Sequence, residues 1–179
     1  HQKLFKIARK YKLRKKLKLG VITFDPIPKM FFNPKFKNYR ISNFNQKIEI
    51  LKSYNIDFII NKKFDKKFSK TKYIDFIKNF LYKKIKPRYI FVSDNFRFGN
   101  KREGDVSSLK QFEKVYGYKI INPSPLKKNL KIVSSTLIRK YLSEGKIKVA
   151  NKYLDRNWSI EGLVKIGRRM GRQIGFPTC

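Results

Sequence analysis

The chain has 179 residues, with 45 Lys and Arg against 12 Asp and Glu and a formal net charge of +33. Its 41% hydrophobic and 15% aromatic content excludes a disordered polyelectrolyte, and the length suits one sizeable domain with its own core. The one cysteine, Cys179, is terminal, which excludes an internal disulfide; with neither an apolar run of spanning length nor a signal-peptide pattern, the expected location is the cytoplasm, with no membrane contact.

From Gln2 to about Lys16 the apolar residues Leu4, Ile7, Ala8 and Tyr11 keep helical spacing opposite a Lys and Arg face. Leu19 to Phe24 reads as a short strand closed by Pro26 and Pro28, followed by a loop to Asn43. There an Asn43/Gln46 pairing resembles a capping box ahead of a helix from Phe44 to about Tyr54. Asp57 to Ile60 is the next strand, and Ile74, Ile77, Leu81 and Ile85 stay in phase along a helix from about Lys72 to Lys84. Arg88 to Val92 is a strand, Leu109, Phe112 and Tyr116 line a helix stopped at Gly117, and Tyr118 to Asn122 is a further strand. Helices from Ser135 to Glu144 and from about Ile147 to Asp155 close the unit.

Strands alternating with helices predict βαβ units, hence an α/β fold with a parallel sheet and helices on both faces. From Trp158 the pattern changes: Trp158, Ile160 and Val164 at even spacings predict an antiparallel strand, so a domain boundary is placed near Arg156.

The excess positive charge has two readings. A polyanion-binding surface is one. The other is compositional: the excess is mostly Lys, spread along the whole chain beside abundant Asn, Ile, Phe and Tyr, with alanine only at Ala8 and Ala150, the pattern of an AT-rich coding sequence. No basic helix or aromatic-basic repeat stands out, so the compositional reading is preferred and nucleic acid is not expected as a partner.

Two segments concentrate chemistry. SDNFRFGNKREGD, Ser93 to Asp105, and KIVSSTLIRKYL, Lys131 to Leu142, each lead from an apolar run through a loop into a helix, where an open α/β sheet binds ligand phosphates. In the first, Gly99 and Gly104 permit tight turning while Arg97, Lys101 and Arg102 supply charge. In the second, Ser134 and Ser135 can cap a helix whose free N–H groups point at an anion, with Arg139 one turn on and on the same face as Thr136. The plainer alternatives are a simple helix cap for the serines, core positions for Phe96 and Phe98, and a solvated Arg97.

These segments resemble the FMN adenylyltransferase module of bacterial bifunctional riboflavin kinase/FAD synthetases, whose loops read close to G-x-[DN]-F-x-F-G-x-x-R-x-G-D and [IV]-S-S-T-x-[IV]-R. TFDPIP at Thr23 to Pro28, the FDKKF and YIDF pair around Phe64 to Phe76, and GRQIGFPTC at Gly171 to Cys179 follow in the family's order. The resemblance implies a doubly wound, Rossmann-like nucleotidyltransferase over residues 1–156 and the beginning of a β-barrel riboflavin-kinase domain over 157–179. It implies a chain cut at both ends. HQKLFK fits the family's H-x-G-H signature from its second His onward, so a first, central strand would precede His1, and GFPTC stops inside the kinase motif P-T-A-N. Without that strand, residues 1–179 alone are expected to fold poorly and to bind ATP weakly if at all.

The implied reaction transfers AMP from ATP, with Mg²⁺, to FMN, giving FAD and pyrophosphate, in a protein that also phosphorylates riboflavin. By the same resemblance His1 and Arg139 are catalytic; His1, Asn95, Ser135, Thr136 and Arg139 bind ATP; and Phe24, Pro26, Pro28, Phe96, Arg97, Arg102 and Asp105 face the flavin. Gly175, Pro177 and Thr178 open the incomplete kinase motif. The pattern departs at Ile27, where the family shows a His, and at Ser93, where it prefers Gly. The competing functions are a nucleotidyltransferase of the same fold acting on nicotinate nucleotide or pantetheine phosphate, and a basic nucleic-acid module.

Overall fold

The computed structural model describes residues 2–36, 39–128, 131–163 and 175. Helix α1 (Gln2–Lys15) buries Ala8 and turns its basic face to solvent. Strand β1 (Gly20–Asp25) follows, then a short helix α2 (Pro28–Phe32), absent from the sequence reading, with proline at its start as that position favours. Helix α3 (Phe44–Ser53) begins on the expected capping box: the Asn43 side chain accepts from the Gln46 N–H at 2.8 Å, and the Gln46 side chain accepts from the Asn43 N–H at 2.9 Å. Strand β2 (Phe58–Lys63) runs three residues beyond the expected end at Ile60.

Two further short helices, α4 (Lys66–Ser69), capped by Asp65, and α5 (Tyr73–Asp75), lead into a π-helical segment, Phe76–Ile85, whose wider turns bury Phe76, Ile77 and Leu81. Strand β3 (Tyr89–Phe91) is next. The loop after it makes one antiparallel bridge, Phe98 to Gly104, before α6 (Val106–Gln111) and α7 (Glu113–Tyr116). Gly117, at φ +67°, ends α7 in the left-handed conformation predicted from its position, and β4 (Lys119–Ile121) follows. A hairpin of β5 (Lys127–Lys128) and β6 (Lys131–Ile132), not foreseen, precedes α8 (Ser135–Ser143) and α9 (Ile147–Leu154).

β1 pairs in parallel with β2, Gly20 opposite Phe58 through Asp25 opposite Lys63, and β3 pairs in parallel with β4, Tyr89 opposite Lys119 through Phe91 opposite Ile121. Each is a βαβ unit with its helices in the crossover, so the α/β expectation holds. The pairs are separate two-stranded sheets rather than one continuous sheet. Between them lies a cavity of about 710 Å³, lined by every residue from Leu17 to Phe24 and from Ile85 to Ser93, and covered by Leu4, Phe5, Ala8 and Tyr11 of α1. Side chains alternate across a strand, so a void lined by consecutive residues faces the strand's edge rather than one of its faces.

The main core joins the π-helical segment to Val92, Phe98, Val106, Leu109, Tyr118 and Ile120. Ile77 and Leu109 are fully buried, and the Tyr118 hydroxyl donates to the Leu109 carbonyl at 2.8 Å. Burial, with Glu113 and Tyr116 nearby, pushes that phenol up to about 12. A second cluster forms around Ile138, Tyr153 and Leu154.

The strand expected from Trp158 is not there. Residues 158–163 form no ladder, because their groups are taken by the first unit: the Trp158 N–H donates to Asn151 Oδ1 at 2.8 Å and its indole N–H to the Ile41 carbonyl at 2.9 Å. Gln46 Nε2 donates to the Ser159 carbonyl and Asn43 Nδ2 to Glu161 Oε2, so the segment straps the start of α3. Val164, Pro177 and Thr178 lie outside the described residues, as does His1; nothing described forms a barrel.

Gly99 has φ +78°, and a Cβ there would meet the Tyr73 backbone at 2.8–2.9 Å; Gly117, also left-handed, has open space around it. Gly99→Ala therefore combines αL strain with a backbone clash, and a loss of about 2–3 kcal/mol is expected, against about 1 kcal/mol for Gly117→Ala. Denaturant melts of the two variants check this; equal losses would mean the Tyr73 contact is not tight.

Candidate functional site

The carboxyl ends of β1 and β3 lie on the same cavity, the position at which parallel α/β units bind ligands. Phe24 from the end of β1, Ile27 and Pro28 from the turn after it, and Ser93 and Phe96 from the loop after β3 all line its mouth. Three predicted flavin residues, Phe24, Pro28 and Phe96, are thus brought together from separate stretches of chain. Phe24 is held by Phe64 and Phe68, with ring centroids 6.0 and 5.7 Å away, and Phe96 stacks on Phe98 at 5.4 Å. Pro26 does not line the cavity, and Ile27, in the family's His position, lines it with an apolar side chain while its carbonyl accepts from Met30 and Phe31.

The loop from Ser93 to Asp105 is built by its own backbone. Asn95 Oδ1 accepts from the Ser93 hydroxyl at 2.8 Å, Arg97 donates to the Phe96 carbonyl, and Phe98 and Gly104 exchange two backbone bonds. The Asn100 N–H donates to Thr71, and Glu103 accepts from the Tyr73 N–H, pinning the loop to α5. Arg102, at φ +63°, is exposed. Asp105 caps α6: its carboxylate accepts from the Ser108 N–H at 2.9 Å and hydroxyl at 3.0 Å, which hold it below the usual carboxylate range. The hydrogen bonds of Asp105 among the described residues are those of this cap.

At α8, Ser134 is the cap, its hydroxyl accepting from the Leu137 N–H at 3.2 Å, while Ser135 and Thr136 are exposed on the first turn with their N–H groups free of intrahelical partners. Arg139 lies one turn on, and helical side chains lean toward the helix start. Its guanidinium lies over the Tyr39 ring, 3.7 Å from the centroid, with Nε donating to the Tyr39 carbonyl at 2.9 Å. Nη1 is buried without a hydrogen-bond partner among the described residues, and burial lowers the group's pKa. No hydrogen bond or salt bridge among the described residues joins Arg139 to the loop at 93–105.

Sequence reasoning missed the segment Tyr39 to Lys47. Arg40 pairs with Asp25 at the end of β1, and Lys47 on α3 donates to the hydroxyl of Thr23, a polar side chain that is buried at the cavity's edge. Burial, then the neighbouring Arg40, lowers the Lys47 pKa, while Asp25 works the other way. The only signal in the chain was an Arg and a Lys flanking the capping box, indistinguishable among 45 cations.

No group of three Asp, Glu, His or Cys side chains among the described residues could cage a metal ion, and no described helix is long and apolar enough to cross a membrane.

Comparison with known proteins agrees with this geometry. The FAD synthetase family model matches residues 1–137. A bifunctional riboflavin kinase/FMN adenylyltransferase of Buchnera aphidicola subsp. Schizaphis graminum is 41% identical over all of this chain and 58% of its own length. That of Escherichia coli K12 is 29% identical over 93% of this chain and 53% of its own. The chain therefore spans little more than half the length of these curated relatives. A crystal structure from Streptococcus pneumoniae, of a protein named a macrolide-efflux protein, superposes with a TM-score of 0.82 at 25% identity over 99% of this chain and 57% of that one. Efflux is said of that protein alone; the likeness here is in the fold. From the family match over most of its length, the chain belongs to the FAD synthetase family.

Proposed function

We propose that this chain transfers AMP from ATP to FMN, and that it is the adenylyltransferase portion of a protein that also phosphorylates riboflavin. The observation that carries the reading is the convergence of Phe24, Pro28 and Phe96 on one cavity at the carboxyl ends of β1 and β3, where a planar tricyclic ring finds aromatic walls. An oxygen of the FMN phosphate forms a bond to the α-phosphorus of ATP as the α–β anhydride bond breaks, and pyrophosphate leaves with the electron pair. Such a transfer needs in-line placement and fixed positive charge more than a protein nucleophile.

Arg139, oriented by Tyr39, supplies that charge beside the free N–H groups of Ser135 and Thr136. Asn95, whose amide oxygen already binds Ser93, has its amide nitrogen to donate to the nucleotide, and His1 would add a further donor. Arg97 and Arg102 contribute charge at the flavin side. Mg²⁺ fits this donor set as an ion carried chiefly by nucleotide phosphates, which requires no carboxylate cage; it would neutralise charge on those phosphates. The kinase segment from residue 157 onward, with Gly175, Pro177 and Thr178, belongs to the second activity on this reading.

The cavity between β1 and β3 is, on this reading, the seat of a central strand laddered to both, completing a doubly wound sheet. Joining an apolar five- or six-residue strand ahead of His1 is expected to raise the melting temperature of the 179-residue chain by about 10 °C or more, since several kcal/mol correspond to such a shift at this size. An equally long Gly/Ser segment is expected to leave it unchanged. Equal effects of the two would remove the strand from the cavity.

In the protein expressed from its own gene, Arg139→Ala is expected to lower FAD formation from FMN and ATP by about 10²-fold, as for loss of one preorganised charge donor, with riboflavin phosphorylation nearly unchanged. Turnover of nicotinate mononucleotide in place of FMN would overturn the flavin assignment.

A further inference from the structure

Thr23 and Asp25 stand two residues apart on β1 and so project from the same face at the strand's carboxyl end. Each holds one cation, Lys47 on Thr23 and Arg40 on Asp25. Tyr39, next to Arg40 in the chain, holds a third, since Arg139 both stacks on its ring and donates to its carbonyl. We propose that Arg40, Lys47 and Arg139 form one seat for a phosphoryl group of at least two negative charges, with Arg40 and Lys47 as binding residues alongside Arg139.

Arg40 pairs with the Asp25 carboxylate, Lys47 lies within reach of both charges, and Arg139 joins them through Tyr39; all three side chains are partly buried, so solvent screening does not dispose of the surplus as it does for the chain's exposed lysines. Arg40 Nε and Arg139 Nη1 are buried N–H donors with no acceptor among the described residues. Buried donors in folded proteins are nearly always satisfied, so two charged orphans flanking one residue pair mark a missing acceptor. The Lys47 ammonium has three protons and spends one on Thr23. Arg40 Nε, Arg139 Nη1 and the remaining Lys47 protons therefore leave at least three donors for an acceptor. A planar carboxylate has two oxygens, while a terminal phosphate has three, tetrahedrally disposed, with the charge to match.

A mononucleotide phosphate and a nucleoside triphosphate share this chemistry. The inference takes from the adenylyl-transfer reading only that both are at hand; a protein that makes no FAD yet holds pyrophosphate on these residues would leave the inference standing and that reading fallen.

The test uses the protein expressed from its own gene, titrated at low salt with pyrophosphate, ATP and FMN. Wild type is expected to bind pyrophosphate, and Lys47→Met and Arg40→Gln are each expected to weaken it at least tenfold, with Lys47→Arg within about threefold of wild type because the charge is kept. The variants' loss for ATP or for FMN identifies which phosphate uses the seat. A second measurement needs no variant: amine acetylation of wild type read by mass spectrometry, in which pyrophosphate is expected to protect Lys47 and leave exposed Lys52 reactive. Absence of pyrophosphate binding by wild type, wild-type affinity in both charge-removing variants, or an unprotected Lys47 would overturn the proposal.

Discussion

The geometry of this molecule depends on how two short parallel strand pairs are kept at a fixed distance without a ladder between them. β1 is bonded to β2 and β3 to β4, while their other edges face a cavity, so the usual backbone coupling between neighbouring strands is missing where the site is built. What spans the gap is side-chain packing. Tyr11 of α1 meets Tyr89 and Phe91 edge-on at 5.0 and 5.4 Å, and Phe5 meets Tyr54 at 5.2 Å, so one helix is fastened to β3 and to the end of α3 at once. Below the mouth, Phe24 touches Phe68, Phe68 touches Phe76, and Phe76 touches Phe98, a run of rings from the end of β1 to the loop after β3. Each contact adds about 0.5–1.5 kcal/mol beyond its buried area, and together they relate the two strand ends that carry Phe24 and Phe96.

The charge of the chain acquires meaning only after burial is considered. With 45 cations and 12 acids most lysines have no possible partner, and on an exposed helix such as α1 that costs little, because water and salt screen them. Around β1, Lys47 lies against Thr23 at the cavity and Arg139 against Tyr39, and desolvation disfavours the charge on both. Arg40 has Asp25 as its counter-charge, whereas Lys47 holds only the Thr23 hydroxyl and Arg139 only the Tyr39 ring and carbonyl.

Features governed by neighbouring residues were legible in the sequence. The Asn43/Gln46 capping box, the Gly117 helix end, the Ser134 cap and the alternation of strands with helices all rest on interactions within a few residues, where residue type nearly determines conformation. The family motifs added the cavity mouth, since Phe24, Pro28 and Phe96 do gather there. The rest depended on partners far along the chain. The even spacing of Trp158 and Ile160 is a strand signal only if a ladder partner exists, and here Asn151 and Ile41 claim the two N–H groups of Trp158 first. Helical periodicity over 72–84 placed Ile77 and Leu81 correctly in the core, but Ile74 is exposed and Phe76, outside that phase, is buried, and periodicity does not distinguish α from π winding.

Arg139 shows how a local signal and a distant one combine. Its place one turn into α8 directs it toward the free N–H groups at the helix start, which alone would suit any flexible cation. The Tyr39 ring beneath it and the Tyr39 carbonyl on Nε remove that flexibility, fixing the plane of the guanidinium so that Nη1 points to one place. Lysine could match the charge but neither the stacking nor the fixed fork. Because Tyr39 is joined by one peptide bond to Arg40, and Arg40 to the end of β1 through Asp25, the plane of Arg139 is set by the strand as well as by its own helix. The Tyr39 contacts thus make the segment that carries Tyr39, together with α8, the part of the chain that orients the charge.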